Sequence, residues 1–387
     1  MKRLLLIFTL FLLLPGLNPQ TTWAENESIS FEEIIASLKK EIKKKPRDPE
    51  LRLKLGYVYL ESNDLEASEA EIKKSLKIKP NYLAGRLLLA NLYLSTERIN
   101  EGIEQYKQAV RQHPKEEEVA YQLSRIFRET NRKDEGIQFY KSLANKYPKI
   151  PSNYYHMGLI YRDKNELKKA IYHLEKASKI KPHAKSHFDL GYIHREYYGD
   201  KEKAIEEYKK ALKIDPNYFP AYINLGSLYV DTRRYQEAEK LFQKTIELIP
   251  SPIGYFNLGM VYRTTGKYDQ AIKAYDEVLQ LDPRYTRAYD ELAIIYRRLK
   301  QDDKLVAVLK KGLELNLKDS TTQLEICLVY YDAKRYKEAI PELQKHLEMD
   351  PTDDETAKKL GIAYWKTGEY FTSVKIHFER FFGYWYK

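Results

Sequence analysis

Prolines punctuate this 387-residue chain at a fixed interval. Pro46, Pro80, Pro114, Pro148, Pro182, Pro216 and Pro250 stand 34 residues apart, and Pro283 follows after 33. Leu317 occupies the next due position, and Pro351 comes 34 residues after it. Proline cannot continue a helix, so each marks the end of a unit of fixed length. A period held this long excludes an ordinary globular layout. It demands a stack in which every unit buries its apolar face against its neighbours. Length alone would suggest two or three domains; a repeat array is one continuous object instead.

The unit is best seen from Asn217 to Pro250. Tyr222, Leu225, Gly226 and Tyr229 come first, then Ala238, Phe242 and Pro250. Leu225 and Tyr229 are four apart and share a helical face. Gly226 and Ala238 are small enough to let two helices cross closely, with Phe242 filling the space beside them. This order and spacing resembles the tetratricopeptide repeat family, a helix–turn–helix unit of about 34 residues. The resemblance implies an all-α fold, a right-handed superhelical solenoid of about ten such repeats over residues 46–387.

The same slots recur along the chain. Leu55-Gly56 with Tyr59, Leu89-Ala90 with Tyr93, Leu123-Ser124 with Phe127, and Met157-Gly158 with Tyr161 mark the first four repeats. Leu190-Gly191 marks the fifth, whose inner turn is one residue longer around Tyr198-Gly199-Asp200. Leu258-Gly259, Leu292-Ala293, Cys327 and Leu360-Gly361 mark the seventh to the tenth. Many of the 34 tyrosines are therefore packing residues. Cys327, the single cysteine, sits in the small-residue slot and reads as buried packing.

Residues 1–24 read as a secretory signal peptide. Lys2 and Arg3 precede the apolar run Leu4 to Leu14, Pro15-Gly16 breaks it, and Thr22-Trp23-Ala24 offers small residues for cleavage. The run is shorter than the roughly 20 residues of a membrane span, though an uncleaved anchor is the rival reading. The expected location is outside the cytoplasm, in the periplasm or secreted. Residues 25–45 then form an N-terminal capping helix. Ser30-x-x-Glu33 is a capping box, and Phe31, Ile34, Ile35, Leu38 and Ile42 form its apolar stripe.

No catalytic constellation appears: there is no phosphate-binding loop, nucleophile elbow or zinc motif. An enzyme is not expected, nor a cofactor. His183, His187 and His194 lie close in sequence, but His187 and His194 fall in slots that Tyr222 and Tyr229 fill one repeat later. Packing accounts for them better than metal ligation.

What packing does not explain is a row of arginines. In this family the first helix of each repeat lines a groove that takes partner segments. The groove positions are one residue after the small slot, three further on, and four back. Arg128, Arg162, Arg195, Arg263 and Arg297 fall at one of these phases, with Val230 interrupting the series. Tyr121, Tyr155, Phe188 and Phe256 lie at another, and Arg125, Tyr192 and Met260 lie between. Arginine and aromatic rings are the usual anchors of interfaces. The competing view pairs each arginine with an adjacent acid, such as Glu129, Asp163 or Glu196.

The expected function is a non-catalytic scaffold or adaptor that binds protein partners, which for an exported chain implies the cell envelope. The alternative is an anionic polymer, an acidic polysaccharide or nucleic acid, held by the formal charge of +10, or +8 once Lys2 and Arg3 are removed. Export and interspersed acids weigh against nucleic acid. The last helix, from about Tyr370, carries six aromatics in its final ten residues. Phe371, Val374, Phe378, Phe381 and Trp385 form a stripe expected to pack back on Leu360 and Tyr364. Phe382 and Tyr386 project elsewhere and, with Trp385, form an expected docking patch for a partner, a second copy of the chain or a membrane surface.

Overall fold

The computed structural model describes residues 30–315, 319–373 and 376. The expected signal peptide and the docking patch of Phe382, Trp385 and Tyr386 lie outside the described residues. The described residues are helices joined by tight turns, as the period requires.

The chain forms two compact blocks, Met1–Ile214 and Asp215–Lys387. In the first, the capping helix α1 (Phe31–Lys44) precedes five repeats. Their first helices are α2 (Pro49–Glu61), α4 (Leu83–Ser95), α6 (Glu117–Glu129), α8 (Pro151–Asp163) and α10 (Ala184–Glu196). Their second helices are α3 (Leu65–Ile78), α5 (Ile99–Gln112), α7 (Lys133–Lys146), α9 (Leu167–Ile180) and α11 (Lys201–Ile214). In the second block the first helices are α12 (Phe219–Asp231), α14 (Pro252–Thr264), α16 (Thr286–Arg298), α18 (Ser320–Asp332) and α20 (Asp354–Thr367). The second helices there are α13 (Tyr235–Leu248), α15 (Tyr268–Leu281), α17 (Asp302–Leu315) and α19 (Tyr336–Met349), and a further helical stretch starts at Tyr370.

Close crossing inside each repeat follows from the small slot. A Cβ added at Gly226 would stand 2.6 Å from Phe242 Cε1, and at Gly191 or Gly259 it would stand 2.7 Å from the ring of Tyr208 or Tyr275. In the first repeat the partner slot holds Ser68, whose hydroxyl donates to the Gly56 carbonyl at 2.7 Å; Ser373 donates to Gly361 O at 2.8 Å in the tenth. Cys327 is fully buried, and burial pushes its thiol up to about 12.

The inner turns share one hydrogen-bond pattern. The residue opening the second helix donates back to the carbonyl of the repeat's aromatic slot: Asp64 to Tyr59, Arg98 to Tyr93, Arg234 to Tyr229 and Lys267 to Tyr262, at 2.7–2.8 Å. The residue before it takes a positive φ, as at Asn63, Glu97, Arg233 and Gly266. This is the Schellman C-cap. In the fifth repeat the extra turn residue moves the donor to Asp200, which reaches His194 O at 2.9 Å.

The chain's start and end behave differently from each other. The Ser30 capping box forms, and Leu38 and Ile42 of α1 pack with Leu55, Val58 and Tyr59 of the first repeat. Phe31 departs from the expected stripe and is exposed, because it precedes the first full turn that reaches α2. Of the stripe expected in the last helix, Val374, Phe378, Phe381 and Trp385 lie outside the described residues, and only the placement of Phe371 is corrected. Phe371 is 95% exposed. Ser373, in the small slot, and Ile376 contact the tenth repeat.

Candidate functional site

The first helices all have the same phase, so groove residues fall at their fifth, ninth and twelfth positions. In the first block the twelfth positions carry Leu60 and Leu94 on α2 and α4, then Arg128, Arg162 and Arg195 on α6, α8 and α10. Arg162 on α8 is mostly buried. Its Nη1 lies 2.6 Å from Asp189 Oδ1 on α10, and its Nη2 lies 3.0 Å from Asp163 Oδ1. Tyr155 donates its hydroxyl to Asp189 Oδ2 at 2.9 Å. Burial pushes the Asp189 carboxyl up despite the opposing pull of Arg162. Burial likewise works against the Arg162 charge, but Asp189 and Asp163 outweigh it and hold the guanidinium above its ordinary range. The same guanidinium stands 5.4 Å over the Tyr192 ring.

Arg128 donates to Asp163 Oδ2 at 3.1 Å, and Arg195 Nε lies 3.2 Å from Glu196 Oε1. Arg125 Nε is 3.8 Å from Glu129, beyond hydrogen-bond reach. Tyr121, Phe188 and Tyr192 are half-buried. Tyr155 is buried, so it braces Asp189 and does not form a groove wall as the phase suggested.

In the second block Arg263 Nε lies 2.5 Å from Glu291 Oε2, and Arg297 pairs with Glu325. Phe256 is only 2% exposed and packs against Tyr275 and Tyr285 at 5.6 and 5.2 Å between ring centres. It too is a core residue, not a wall.

Three of these pairs, those of Arg162, Arg263 and Arg297, obey a rule that sequence reasoning missed. The acid sits at the sixth position of the next first helix: Asp189 on α10, Glu291 on α16, Glu325 on α18. It lies 27 or 28 residues after its arginine, so attention to adjacent acids found only Asp163 and Glu196. The signal was present as a carboxylate just before Leu190, Leu292 and Ile326. Where the sixth position holds His156, Arg128 turns to Asp163 instead.

A second missed series occupies the ninth position in the second block: Met260, Ile294, Leu328 and Ile362. Only Met260 was singled out from sequence. Ile294 is 42% and Ile362 41% exposed.

The histidines of the first block are dispersed. His183 caps α10 by accepting from Ser186 N at 3.2 Å. His187 stands 2.6 Å from Glu207 Oε2 and 2.7 Å from Ser178 Oγ. His156 is buried among Tyr121, Tyr140 and Tyr155, and burial drives its pKa well below the ordinary histidine value. Among the described residues no three potential ligands converge on a metal position, and no helix is long and apolar enough to cross a membrane. A cavity of about 360 Å³ lies between α17 and α19, away from the first-helix rows, over Leu313, Pro341 and Met349 with Lys310 and Lys345 at its rim.

Comparison with known proteins matches this arrangement. Models described as tetratricopeptide repeat match residues 49–82, 87–151, 151–183, 219–252 and 252–285, and one described as TPR repeat matches 198–232. No curated protein matches the chain. Among solved structures, the C-terminal part of a TPR repeat-containing protein from Cytophaga hutchinsonii is 20% identical. It is covered to 99%, against 62% of this chain, with a TM-score of 0.51. A crystal structure of MamA is 30% identical over 43% of this chain and 97% of its own, with a TM-score of 0.40. YrrB, described as a TPR protein with an unusual peptide-binding site, is 19% identical over 47% and 94%, with a TM-score of 0.39.

Proposed function

The chain belongs to the tetratricopeptide repeat proteins, and on that premise we propose that it is a non-catalytic scaffold of the cell envelope, holding partner segments on its rows of first helices. The observation that carries this is the recurrence of one residue class at one phase. Arg128, Arg162 and Arg195 in one block, and Arg263 and Arg297 in the other, stand beside half-buried Tyr121, Phe188, Tyr192 and Met260. Packing within a repeat does not require arginine there, since Val230 serves in α12.

The ion pairs modify how this row works. Its arginines are neutralised by carboxylates of the same chain, so a partner meets a surface of closed pairs and rings. This weighs against the anionic polymer, which needs many uncompensated cations. Export rests on the leader over residues 1–24; the mature protein recovered from its envelope should begin at Glu25 by mass.

The test is site-specific photo-crosslinking in the native cell. A photoreactive residue replaces Tyr192 or Arg297 on first helices, or Tyr172, an exposed ring on second helix α9. Discrete protein adducts at 192 and 297, absent at 172, are expected. Adducts at 172 alone, or none at 192 and 297, would overturn the proposal.

A further inference from the structure

Two positions tie one repeat to the next. Arginine at the twelfth residue of a first helix pairs with an acid of the following first helix. Arg162 lies 2.6 Å from Asp189 and Arg263 lies 2.5 Å from Glu291, and Arg297 pairs with Glu325. The second residue of a second helix pairs with the inner turn of the following repeat. Asn100 accepts from Arg132, Asp134 lies 2.5 Å from Lys164 Nζ, and Asp303 lies 2.5 Å from Arg335 Nη1. These contacts fix where both positions point, toward the repeat that comes next.

In the tenth repeat both positions are aromatic. The twelfth residue of α20 is Trp365, and the second residue of the helical stretch from Tyr370 is Phe371. In the nine preceding second helices that second residue is always polar or charged, from Glu66 to Lys337. Trp365 is 55% and Phe371 95% exposed, and Trp365 meets the exposed Tyr370 edge-on at 4.8 Å between ring centres. Among the described residues no later helix covers these rings. The ninth repeat shows what such a ring looks like when a repeat follows. Tyr331, the twelfth residue of α18, is half-buried against a core that includes Leu360 and Tyr364 of the tenth repeat. A repeat face left to water stays polar in a solenoid. A cluster of exposed rings on the stacking side fits another repeat face instead.

Charges at the rim select which face. Lys366 follows Trp365 and Glu369 precedes Tyr370; both are exposed, and neither is in an ion pair among the described residues. An anionic bilayer would meet the carboxylate as well as the ammonium. A two-fold contact between identical faces lets Lys366 of one copy meet Glu369 of the other, while the rings pack across the axis.

We propose that this face binds a second copy of the chain, tenth repeat against tenth repeat about a two-fold axis, with Trp365, Tyr370 and Phe371 at its centre. The second copy stands where the next repeat stands elsewhere in the block. The inference goes beyond the partner-binding reading above and does not depend on it.

The experiment is sedimentation velocity over a concentration series, on the full chain as its cells process it. A reversible monomer–dimer equilibrium is expected. Phe371→Asp and Trp365→Arg install the residue types that other repeats carry at these two positions, and each should weaken the dimer by about tenfold or more. Phe371→Leu should associate as the parent does. Lys366→Glu should weaken the dimer, and adding Glu369→Lys should restore it. All these sites are exposed, and thermal unfolding of each variant checks that folding is retained. A parent that stays monomeric throughout, or a dimer unchanged by both Phe371→Asp and Trp365→Arg, would overturn the inference. So would a charge-swapped double variant as weak as Lys366→Glu alone. A monomeric parent that floats with phosphatidylglycerol vesicles, and loses this with Phe371→Asp, would assign the rings to a lipid surface and overturn the inference too. Adducts at positions 192 and 297 bear only on the partner reading, so the two can fail separately.

Discussion

Arg162 and Arg297 hold the same place on their helices and differ in what their loss costs. Arg162 shares a buried network with Asp189, Asp163 and Tyr155, so truncation leaves the buried Asp189 carboxylate without its cation. Arg162→Ala should therefore destabilise by about 3–5 kcal/mol. Arg297 is half exposed beside Glu325, and Arg297→Ala should cost no more than about 1 kcal/mol. Urea unfolding of the two variants checks the contrast, and equal losses would contradict the burial argument. The consequence for function is practical: binding effects of Arg162 substitutions are confounded by stability, and those at Arg297 are not. The arginine series itself was legible in the sequence, because it repeats with the period. Its partners were not, because a pair one repeat ahead is invisible unless both helical phases are aligned. Tyr155 and Phe256 were misplaced for a related reason. Their phase is right for a groove, but neighbouring repeats cover them.

Helix pairs are set by two features of different legibility. The small slot was plain from sequence. Gly226→Leu should force Phe242 aside and destabilise by about 1–3 kcal/mol or more, whereas an unchanged denaturation midpoint would contradict the crossing geometry. The turns were less legible, since the left-handed position is filled by Asn63, Glu97, Asn131, Asn165, Arg233, Lys300 and Lys334 as well as by glycine. The backbone pattern compels that conformation whichever residue stands there, because the 6→1 bond to the aromatic-slot carbonyl closes only with it. The basic residue that makes this bond also covers the ring it starts from: Arg98 stands 4.2 Å over Tyr93, and Arg335 4.9 Å over Tyr330. A β-branched side chain is the poorest occupant of a positive φ. Gly266→Val should cost about 1–2 kcal/mol. Lys300→Gly relieves the same strain but loosens the unfolded chain, so it should gain at most about 1 kcal/mol. Opposite shifts of the thermal midpoint are expected, and a loss in both would show that the turn tolerates no change.

At the scale of the whole molecule, the period in the sequence predicted the solenoid, but nothing in it predicted where acid would attack. His156, His173 and His183 are held neutral by burial in the fourth and fifth repeats. His173 and His183 are pushed down to about 4 from an ordinary 6.5, and His156 well below it. A base whose folded pKa is depressed binds fewer protons in the folded state than in the unfolded one. Stability is then fully present above 6.5 and falls as pH drops through the window down to about 4. Depressed carboxylates such as Glu69 and Asp353, each lowered to about 2, add their own loss mainly below pH 4.5. The two windows are separable. His183→Asn tests the upper one, because asparagine keeps an N-cap acceptor for Ser186 N and cannot titrate there. The parent should lose stability between pH 6.5 and 4, and the variant should lose about 2–3 kcal/mol less over the same range. Urea unfolding at intervals of half a pH unit measures this. Parallel curves for parent and variant would mean that His183 carries no proton-linked term, and a flat parent curve would remove the histidine argument altogether.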